Sequence, residues 1–189
     1  MRIIAGDARG RTILAPKGQT TRPTQDYVRE SLFNIIQRDV PGSVVLDLFA
    51  GSGALALEAL SRGAARAVLA DSSRSASECI RRNVETLRYA DRAVLYQGDW
   101  RAVLRQIPKA GSAFNLVFLD PPYQLTQYRE ITEQLRTAGM LAKGALIVIE
   151  HRKDVAADLS PFFRMNDRRN YGDTVISLFI FDTGGNLHE

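Results

Sequence analysis

From residue 43 onward, short apolar runs alternate with segments in which apolar side chains recur every three or four residues. The runs predict five strands, and the periodic segments predict helices between them. The predicted strands are residues 44–48, 66–70, 93–97, 114–119 and 145–150. Nearly continuous apolar strands that alternate with helices are typical of a parallel sheet covered on both faces, so the pattern predicts an α/β fold.

The two ends of the chain depart from this alternation. Residues 163–169 and 174–181 are too close together for an intervening helix, so they predict an antiparallel edge pair in a mostly parallel, seven-stranded sheet. At the other end, residues 2–6 and 11–15 predict a β-hairpin. A helix is expected to follow, with Thr24 as its N-cap.

Basic side chains are concentrated at the start of the chain. Residues 1–38 hold seven basic and three acidic side chains, which accounts for the whole net charge of +4. Such a segment suggests a polyanionic partner, although a solvated basic surface would give the same count. We therefore expect a basic, RNA-facing extension (1–40), a cofactor-binding catalytic domain (41–183) and a tail (184–189).

Composition argues against several classes of protein. No apolar run approaches the ~20 residues of a membrane-spanning helix, and the charged N-terminus lacks the apolar stretch of a signal peptide. The single cysteine, Cys79, allows no internal disulfide and agrees with a reducing cytoplasm. With His151 and His188 as the two histidines, we expect no His/Cys metal site and a cytoplasmic location.

The first candidate site follows the first predicted strand, in the sequence Asp-Leu-Phe-Ala-Gly-Ser-Gly. Glycines here allow a tight turn and a close approach to a ligand, and ligands of doubly wound sheets bind at the carboxyl ends of the strands. Asp71 ends the second strand, where a carboxylate can accept hydrogen bonds from both hydroxyls of a ribose. The predicted cofactor-binding residues of this region are Asp47, Phe49, Ala50, Gly51, Gly53, Asp71 and Ser72.

This motif leaves two cofactors open. Gly51-x-Gly53-x-x-Ala56 with Asp71 also satisfies the dinucleotide fingerprint, so a nicotinamide-dependent oxidoreductase is a rival interpretation. Asp47 argues against it, because its carboxylate would lie near a negative pyrophosphate. The same carboxylate suits the ammonium group of S-adenosylmethionine. The chain is also too short to add a substrate domain to a dinucleotide-binding domain.

Asp99 and Trp100 follow the third strand and extend the predicted cofactor site. The carboxylate of Asp99 can accept a hydrogen bond from an adenine amino group, and Trp100 can flank the adenine ring. Asp99 is equally suited to cap the next helix, and the two roles are compatible.

Residues 120–123, Asp-Pro-Pro-Tyr, are the most specific motif in the sequence. This motif suits methyl transfer to an aryl amine. The lone pair of such an amine is delocalised into the ring, which makes the nitrogen a poor nucleophile, so the lone pair must be held in line with the methyl group at ~3–3.5 Å. The Asp120 carboxylate and the Pro121 carbonyl can hold the two amine hydrogens, and Pro122 stiffens the turn. Tyr123 offers a ring on which an extruded base can stack. These four residues are the predicted catalytic residues; an ordinary turn after a buried strand is the structural alternative.

The two motifs together resemble those of amino-methyltransferases with a Rossmann-like fold. Longer stretches are similar to the bacterial RsmD family, which methylates the guanine N2 amine in small-subunit (16S) ribosomal RNA. These stretches are residues 2–6, 21–24, 28–30, 32–34, 46–64, Asn83 and 171–174. Ala56 stands where the family has glycine, and Asp71-Ser72 replaces a glutamate followed by an acidic residue. The shorter Asp71 predicts a longer or water-mediated contact with the ribose.

The resemblance covers nearly the whole chain. It implies a Rossmann-like class I methyltransferase fold, S-adenosylmethionine as cofactor and no metal. It also implies ribosomal RNA as partner, in an assembled or partly assembled small subunit, and we expect a monomer. Adenine N6 in DNA stays open as a target because Asp-Pro-Pro-Tyr also occurs in that class, although no insertion is large enough for a target-recognition region. An RNA-binding module without catalysis is disfavoured because both motifs are intact.

Six further residues are candidates for contacts with RNA, because they are basic or lie near the predicted mouth of the site. Each has a structural alternative: a solvated surface, a capped helix or the packing of an edge strand. They are Arg9, Arg11, Arg22, Thr24, Arg29 and Tyr171.

Overall fold

A computed structural model describes residues 1–16, 23–108, 113–121 and 127–183. These residues form five helices and seven strands. The helices are α1 (Pro23–Ile35), α2 (Ala54–Ser61), α3 (Arg74–Leu87), α4 (Trp100–Gln106) and α5 (Tyr128–Thr137). The strands are β1 (Val44–Asp47), β2 (Arg66–Asp71), β3 (Ala93–Gln97), β4 (Phe114–Leu119), β5 (Leu141–Arg152), β6 (Phe163–Tyr171) and β7 (Thr174–Phe181).

The strands form one sheet in the order β3-β2-β1-β4-β5-β7-β6. The first five are parallel, and β7 is antiparallel to both β5 and β6. The predicted α/β fold with an antiparallel edge pair is therefore confirmed. The chain order reverses between β1 and β4, which opens the crevice where doubly wound sheets bind ligands.

Side chains of the central strands alternate between two apolar cores. Val45 and Phe118 lie in the core beneath α1, α2 and α3, whereas Leu46 and Val117 lie in the core beneath α4 and α5. Because both faces are covered, the inner strands are almost continuously apolar. This burial fixes the positions of the polar residues that follow them at the carboxyl edge.

The predicted N-terminal hairpin is present but short: an antiparallel bridge joins Arg2 and Thr12, and the Ile3 and Ile13 amides donate across it to the Arg11 and Met1 carbonyls, each at 3.0 Å. The amides of Ile4 and Ala5 donate instead to the buried Glu58 carboxylate of α2, at 2.8 and 3.0 Å. These donors do not take part in the ladder, so the hairpin pairs over fewer residues than the predicted segments 2–6 and 11–15.

Two other predicted boundaries shift. Helix α1 begins at Pro23, so Thr24 lies inside the helix rather than at its N-cap; proline is favoured at a first helical position because its missing N–H has no partner there. Strand β5 begins at Leu141, before the predicted start, and its register with β4 shifts between Phe114 and Leu116. Gly144, with φ +75°, lies in the extra segment, a conformation typical of a bulge.

Candidate active site

Acidic residues meet at the carboxyl edge of the sheet, around the crevice between β1 and β4. Asp47, the last residue of β1, pairs with Leu69 of β2 and Phe118 of β4. Asp71 and Asp120 each lie two residues beyond these partners. The topology therefore brings together the two motifs that the sequence singled out.

The glycine loop has the backbone conformation that its glycines predict. Gly51 and Gly53 have φ +56° and +80°, a region that disfavours other residues. A Cβ atom on Gly51 would meet nothing within 4 Å, whereas one on Gly53 would lie 3.0 Å from Leu69 and 3.2 Å from Leu57. Gly53 therefore permits close packing of α2 on the sheet, and Gly51 leaves open space beside the crevice.

Asp47 is a buried acid, with 1% of its surface exposed. Neither carboxyl oxygen has a hydrogen-bond partner among the described residues. Burial raises the pKa of Asp47 to about 7, and the charge of Asp71 adds to this; the amides of Ala56 and Phe49 oppose it, but neither forms a hydrogen bond of normal geometry with the carboxylate. A buried carboxylate without partners is costly, so this group fits a cationic ligand.

Asp71 holds the glycine loop in place. One carboxyl oxygen accepts from the Gly51 amide at 2.8 Å, and the other accepts from the Ser73 amide at 2.8 Å. The Ala50 amide also donates to the Ala70 carbonyl at 2.9 Å. Asp71 is half-buried and Ser72 is exposed, and a carboxylate with two such bonds still has lone pairs for a ligand.

Asp99 caps α4 by accepting from the Arg101 amide at 2.9 Å, as the sequence predicted. It is exposed, whereas Trp100 is buried, with 3% of its surface exposed. The Arg101 guanidinium lies over the Trp100 ring, 4.3 Å from its centroid. Contacts of Asp99 and Trp100 with a cofactor stay a prediction.

Asp120 has a neighbouring acid, Glu150, that sequence reasoning missed. Leu119, the last residue of β4, pairs with Ile149 of β5. Asp120 and Glu150, which follow these two residues, therefore lie side by side. Part of the Asp120 surface is exposed to solvent, but the surrounding protein excludes much of the water that would otherwise stabilise its charged carboxylate. This desolvation raises the pKa of Asp120 well above its ordinary value, and the charges of Glu150 and Asp47 raise it further.

Glu150 and Tyr128 share this electrostatic environment. Desolvation raises the pKa of Glu150, and it raises that of the buried Tyr128 to about 12, with added contributions from Asp120 and Glu150. Asp120 and Glu150 therefore hold a proton more readily than ordinary carboxyl groups do, and Tyr128 stays protonated beside them. Pro121 is buried beside Asp120, whereas Pro122 and Tyr123 lie outside the described residues.

The basic candidates do not gather at the carboxyl edge of the sheet. Arg9 and Arg11 are exposed, and the Arg11 guanidinium donates to the Thr86 carbonyl near the end of α3. The nearby Asp7 amide donates to the Ser61 carbonyl at 2.9 Å. Ser61 ends α2, whose opposite end follows the glycine loop, so these arginines lie toward the other edge of the sheet.

Arg29 is buried, with 5% of its surface exposed. It donates to the Arg2 carbonyl at 2.5 Å and pairs with Asp26 at 3.3 Å, while burial lowers its pKa. This arrangement agrees with the structural alternative, that Arg29 fixes α1 to the N-terminus. Arg22 and the side chain of Thr24 lie outside the described residues.

Asn83 joins the N-terminal segment to the glycine loop. Its amide nitrogen donates to the carbonyls of Leu14 and Ser52 at 3.0 and 2.9 Å, and its oxygen accepts from the Leu14 amide at 2.7 Å. Asn83 is buried in α3 among apolar residues. The sequence identified Asn83 only through the family resemblance; its position as a polar residue on the apolar face of a helix was a signal for this structural role.

The described residues contain no cluster of three or more His, Cys, Asp or Glu side chains arranged to hold a metal ion. Within the same parts of the chain, no helix has the length and apolar character needed to cross a membrane.

Comparison with known proteins places this site in context. The family model described as Conserved hypothetical protein 95 matches residues 1–180. YlbH of Bacillus subtilis is 35% identical over 184 residues, which cover 95% of this chain and 98% of that protein. Ribosomal RNA small subunit methyltransferase D of Escherichia coli K12 is 35% identical over 190 residues, covering 92% and 93% of the two chains. The solved structure of YhhF from E. coli superposes with a TM-score of 0.84 at 35% identity, covering 97% of this chain and 99% of that one.

Proposed function

The chain belongs to the RsmD family of ribosomal RNA methyltransferases, and we propose that it methylates the N2 amine of a guanine in small-subunit ribosomal RNA. The cofactor is S-adenosylmethionine. One observation carries the proposal: the buried, unpartnered Asp47 and the accessible Asp120 end neighbouring parallel strands. A cationic cofactor and an amine substrate are the ligands that suit these two acids.

The cofactor residues fit the parts of S-adenosylmethionine. Asp47 offers a buried anion for the ammonium group, and Asp71 keeps free lone pairs for the ribose hydroxyls. Gly51 lets the backbone approach the ligand without a side chain, and Asp99 accepts from the adenine amino group while it caps α4. When bound, the cofactor supplies a methyl group activated by its sulfonium.

Asp120 and the Pro121 carbonyl hold the two hydrogens of the guanine amine and aim its lone pair at the methyl group. Transfer of the methyl group would leave the amine cationic. The Asp120 carboxylate then takes a proton from it. The raised pKa of Asp120 makes the carboxylate a better base, and its exposure lets the proton pass to solvent.

Glu150 supports the choice of guanine. Guanine carries an N1–H donor beside its N2 amine, whereas adenine has an N1 acceptor beside its N6 amine. A carboxylate next to Asp120 can accept from the guanine N1–H and is repelled by the adenine N1 lone pair. Tyr123, if it stacks on the base, completes the pocket as the sequence predicts.

The proposal is tested by titrating the chain with S-adenosylhomocysteine and NAD, and by methyl transfer from radiolabelled S-adenosylmethionine to naked ribosomal RNA, small subunits and DNA. We expect binding of S-adenosylhomocysteine and label in ribosomal RNA, most strongly in assembled or partly assembled subunits. Binding of NAD alone would restore the oxidoreductase interpretation, and label in DNA would favour adenine N6.

A further inference from the structure

Two tyrosines that the proposed mechanism does not use meet at the surface. The ring of Tyr27 on α1 lies 6.1 Å from that of Tyr171 on β6, at an interplanar angle of 80°. Tyr27 is 63% exposed, and Tyr171 is half-buried against the core beneath α1. The edge-to-face contact orients the rings and leaves much of Tyr27 open to solvent.

The pair lies at the catalytic edge of the sheet. Tyr171 pairs with Thr174, which pairs in turn with Arg152 near the carboxyl end of β5. Glu150 of β5 and Arg169 of β6 both pair with the same residue of β7, so they lie at the same height in the sheet. Tyr171 therefore lies two residues further toward the carboxyl edge than Glu150. Three strand spacings of ~4.8 Å separate β4 from β6, about 14 Å in all. The tyrosines are thus beside the amine site and not within it.

Among the described residues near the pair, positive side chains have acidic neighbours. Arg169 lies on the same face as Tyr171, but its guanidinium pairs with Asp167 at 2.9 Å. The exposed Lys153 donates its amide to the carbonyl of the exposed Asp173 at 3.0 Å. Affinity at this surface must therefore come mainly from the aromatic rings, with phosphate contacts secondary.

We infer that Tyr27 and Tyr171 bind a base that flanks the target guanine in single-stranded RNA, with Tyr27 providing the stacking face. This inference rests on the proposed function. One open ring matches one base, since every base has a flat face on which an aromatic side chain stacks. A protein partner is less suited, because a specific protein interface needs roughly 1,000 Å² of buried surface.

The test measures binding of a short single-stranded oligoadenylate and of an abasic ribose-phosphate oligomer of equal length. Tyr27→Ala is expected to weaken binding of the oligoadenylate about tenfold and to leave the abasic oligomer unchanged. Tyr27→Phe should bind like the wild type, because the ring survives. Met165→Ala is the matched control: Met165 is 48% exposed on β6 but lies on the opposite face, level with Phe179.

The other outcomes overturn the inference. Equal losses for both oligomers would assign the tyrosines to the phosphate chain, and no loss would remove them from RNA binding. A defect of Tyr27→Ala seen only with assembled subunits would indicate a ribosomal protein as the partner. Methylation of small subunits by the wild type is measured alongside. Its absence would end the proposed function, whereas normal methylation with unchanged oligoadenylate binding by Tyr27→Ala would end this inference alone.

Discussion

Asp71, the last residue of β2, accepts a hydrogen bond of 2.8 Å from the amide of Gly51, which lies in the turn between β1 and α2. Its second oxygen accepts from Ser73 at the start of α3. A residue chosen from the sequence as a ribose ligand therefore also holds the cofactor loop. The proposed ribose contact and the loop geometry would then depend on the same carboxylate.

Replacement of Asp71 by alanine should weaken S-adenosylhomocysteine binding about 10- to 100-fold, because hydrogen bonds to a charged group contribute ~1.5–3 kcal/mol. Isothermal titration calorimetry measures the loss. Asp91→Ala is the control, since Asp91 is an exposed acid before β3, at the opposite edge. Unchanged affinity of Asp71→Ala would exclude Asp71 from the cofactor site.

The pKa of Asp47 predicts how stability depends on pH. In the folded chain the pKa is about 7, against an ordinary value of 3.8, because burial disfavours the charged form. Between these values the folded chain keeps a proton that the unfolded chain has released. Stability without cofactor should therefore fall from about pH 4 to pH 7 and stay lower above that. Asp47→Asn cannot ionise, so its free energy of unfolding at pH 8 should exceed that of the wild type by ~1–3 kcal/mol, as urea denaturation would show.

The same substitution should harm ligand binding. S-adenosylhomocysteine carries an ammonium group, so wild-type affinity should rise as Asp47 ionises around pH 7 and level off above it. Asp47→Asn should bind more weakly at pH 8 and lose this dependence. Calorimetry between about pH 6 and pH 8 tests both expectations. A wild-type affinity that is flat over this range would show that Asp47 does not meet the ammonium group.

Asp120→Ala should slow single-turnover methylation of small subunits about 10²–10³-fold, because one preorganised contact to developing charge is lost. Cofactor affinity should change little. Asp120→Asn can still accept one amine hydrogen but cannot take the proton, so it should fall between wild type and Asp120→Ala. The wild-type rate should decline toward acidic pH as the raised pKa of Asp120 is crossed. A folded Asp120→Ala variant with the wild-type rate would falsify the assignment.

Glu150→Gln should lower guanine methylation about tenfold or more, because an amide oxygen accepts less strongly from N1–H than a carboxylate does. The matched control is Glu85→Gln, an exposed glutamate on α3. Single-turnover rates with saturating cofactor separate this effect from cofactor binding. Equal rates for Glu150→Gln and the wild type would remove Glu150 from base selection.

Much of the fold could be predicted because the inner strands are buried on both faces. Strands β3, β4 and β7 have the predicted bounds, since each apolar run ends at polar residues or at a turn. Asp47, Asp71 and Asp120 could be selected because each stands where an apolar run stops. The local pattern sufficed for apolar runs that end at polar residues or turns, including the half-exposed edge strand β3, but not for the start of the buried strand β5.

What could not be predicted depends on contacts between distant segments. The hairpin is incomplete because Glu58, more than fifty residues away, takes its amides. Glu150 joins the site only through the register of β4 and β5. Tyr27 lies within an otherwise amphipathic helix, and its pairing with Tyr171 follows from the packing of α1 near β6. The spacing of apolar residues along the chain does not indicate which distant segments will be in contact.

The charge of the N-terminal segment makes a separate prediction. Arg9 and Arg11 lie away from the catalytic edge, so RNA would have to extend over α2 or α3 to reach them. If it does, replacing both by alanine should weaken RNA binding at low salt without altering cofactor affinity. The slope of the logarithm of the RNA-binding constant against the logarithm of salt concentration should also become shallower by about 2. An unchanged slope would show that these arginines belong to a solvated surface and do not contact RNA phosphates.

The most direct test of the central claim is mass spectrometry of nucleosides from small-subunit ribosomal RNA incubated with the wild-type chain and isotopically labelled S-adenosylmethionine. We expect labelled N2-methylguanosine, strongly reduced with Asp120→Ala. Label in N6-methyladenosine, or N2-methylguanosine formed equally well by Asp120→Ala, would contradict this claim.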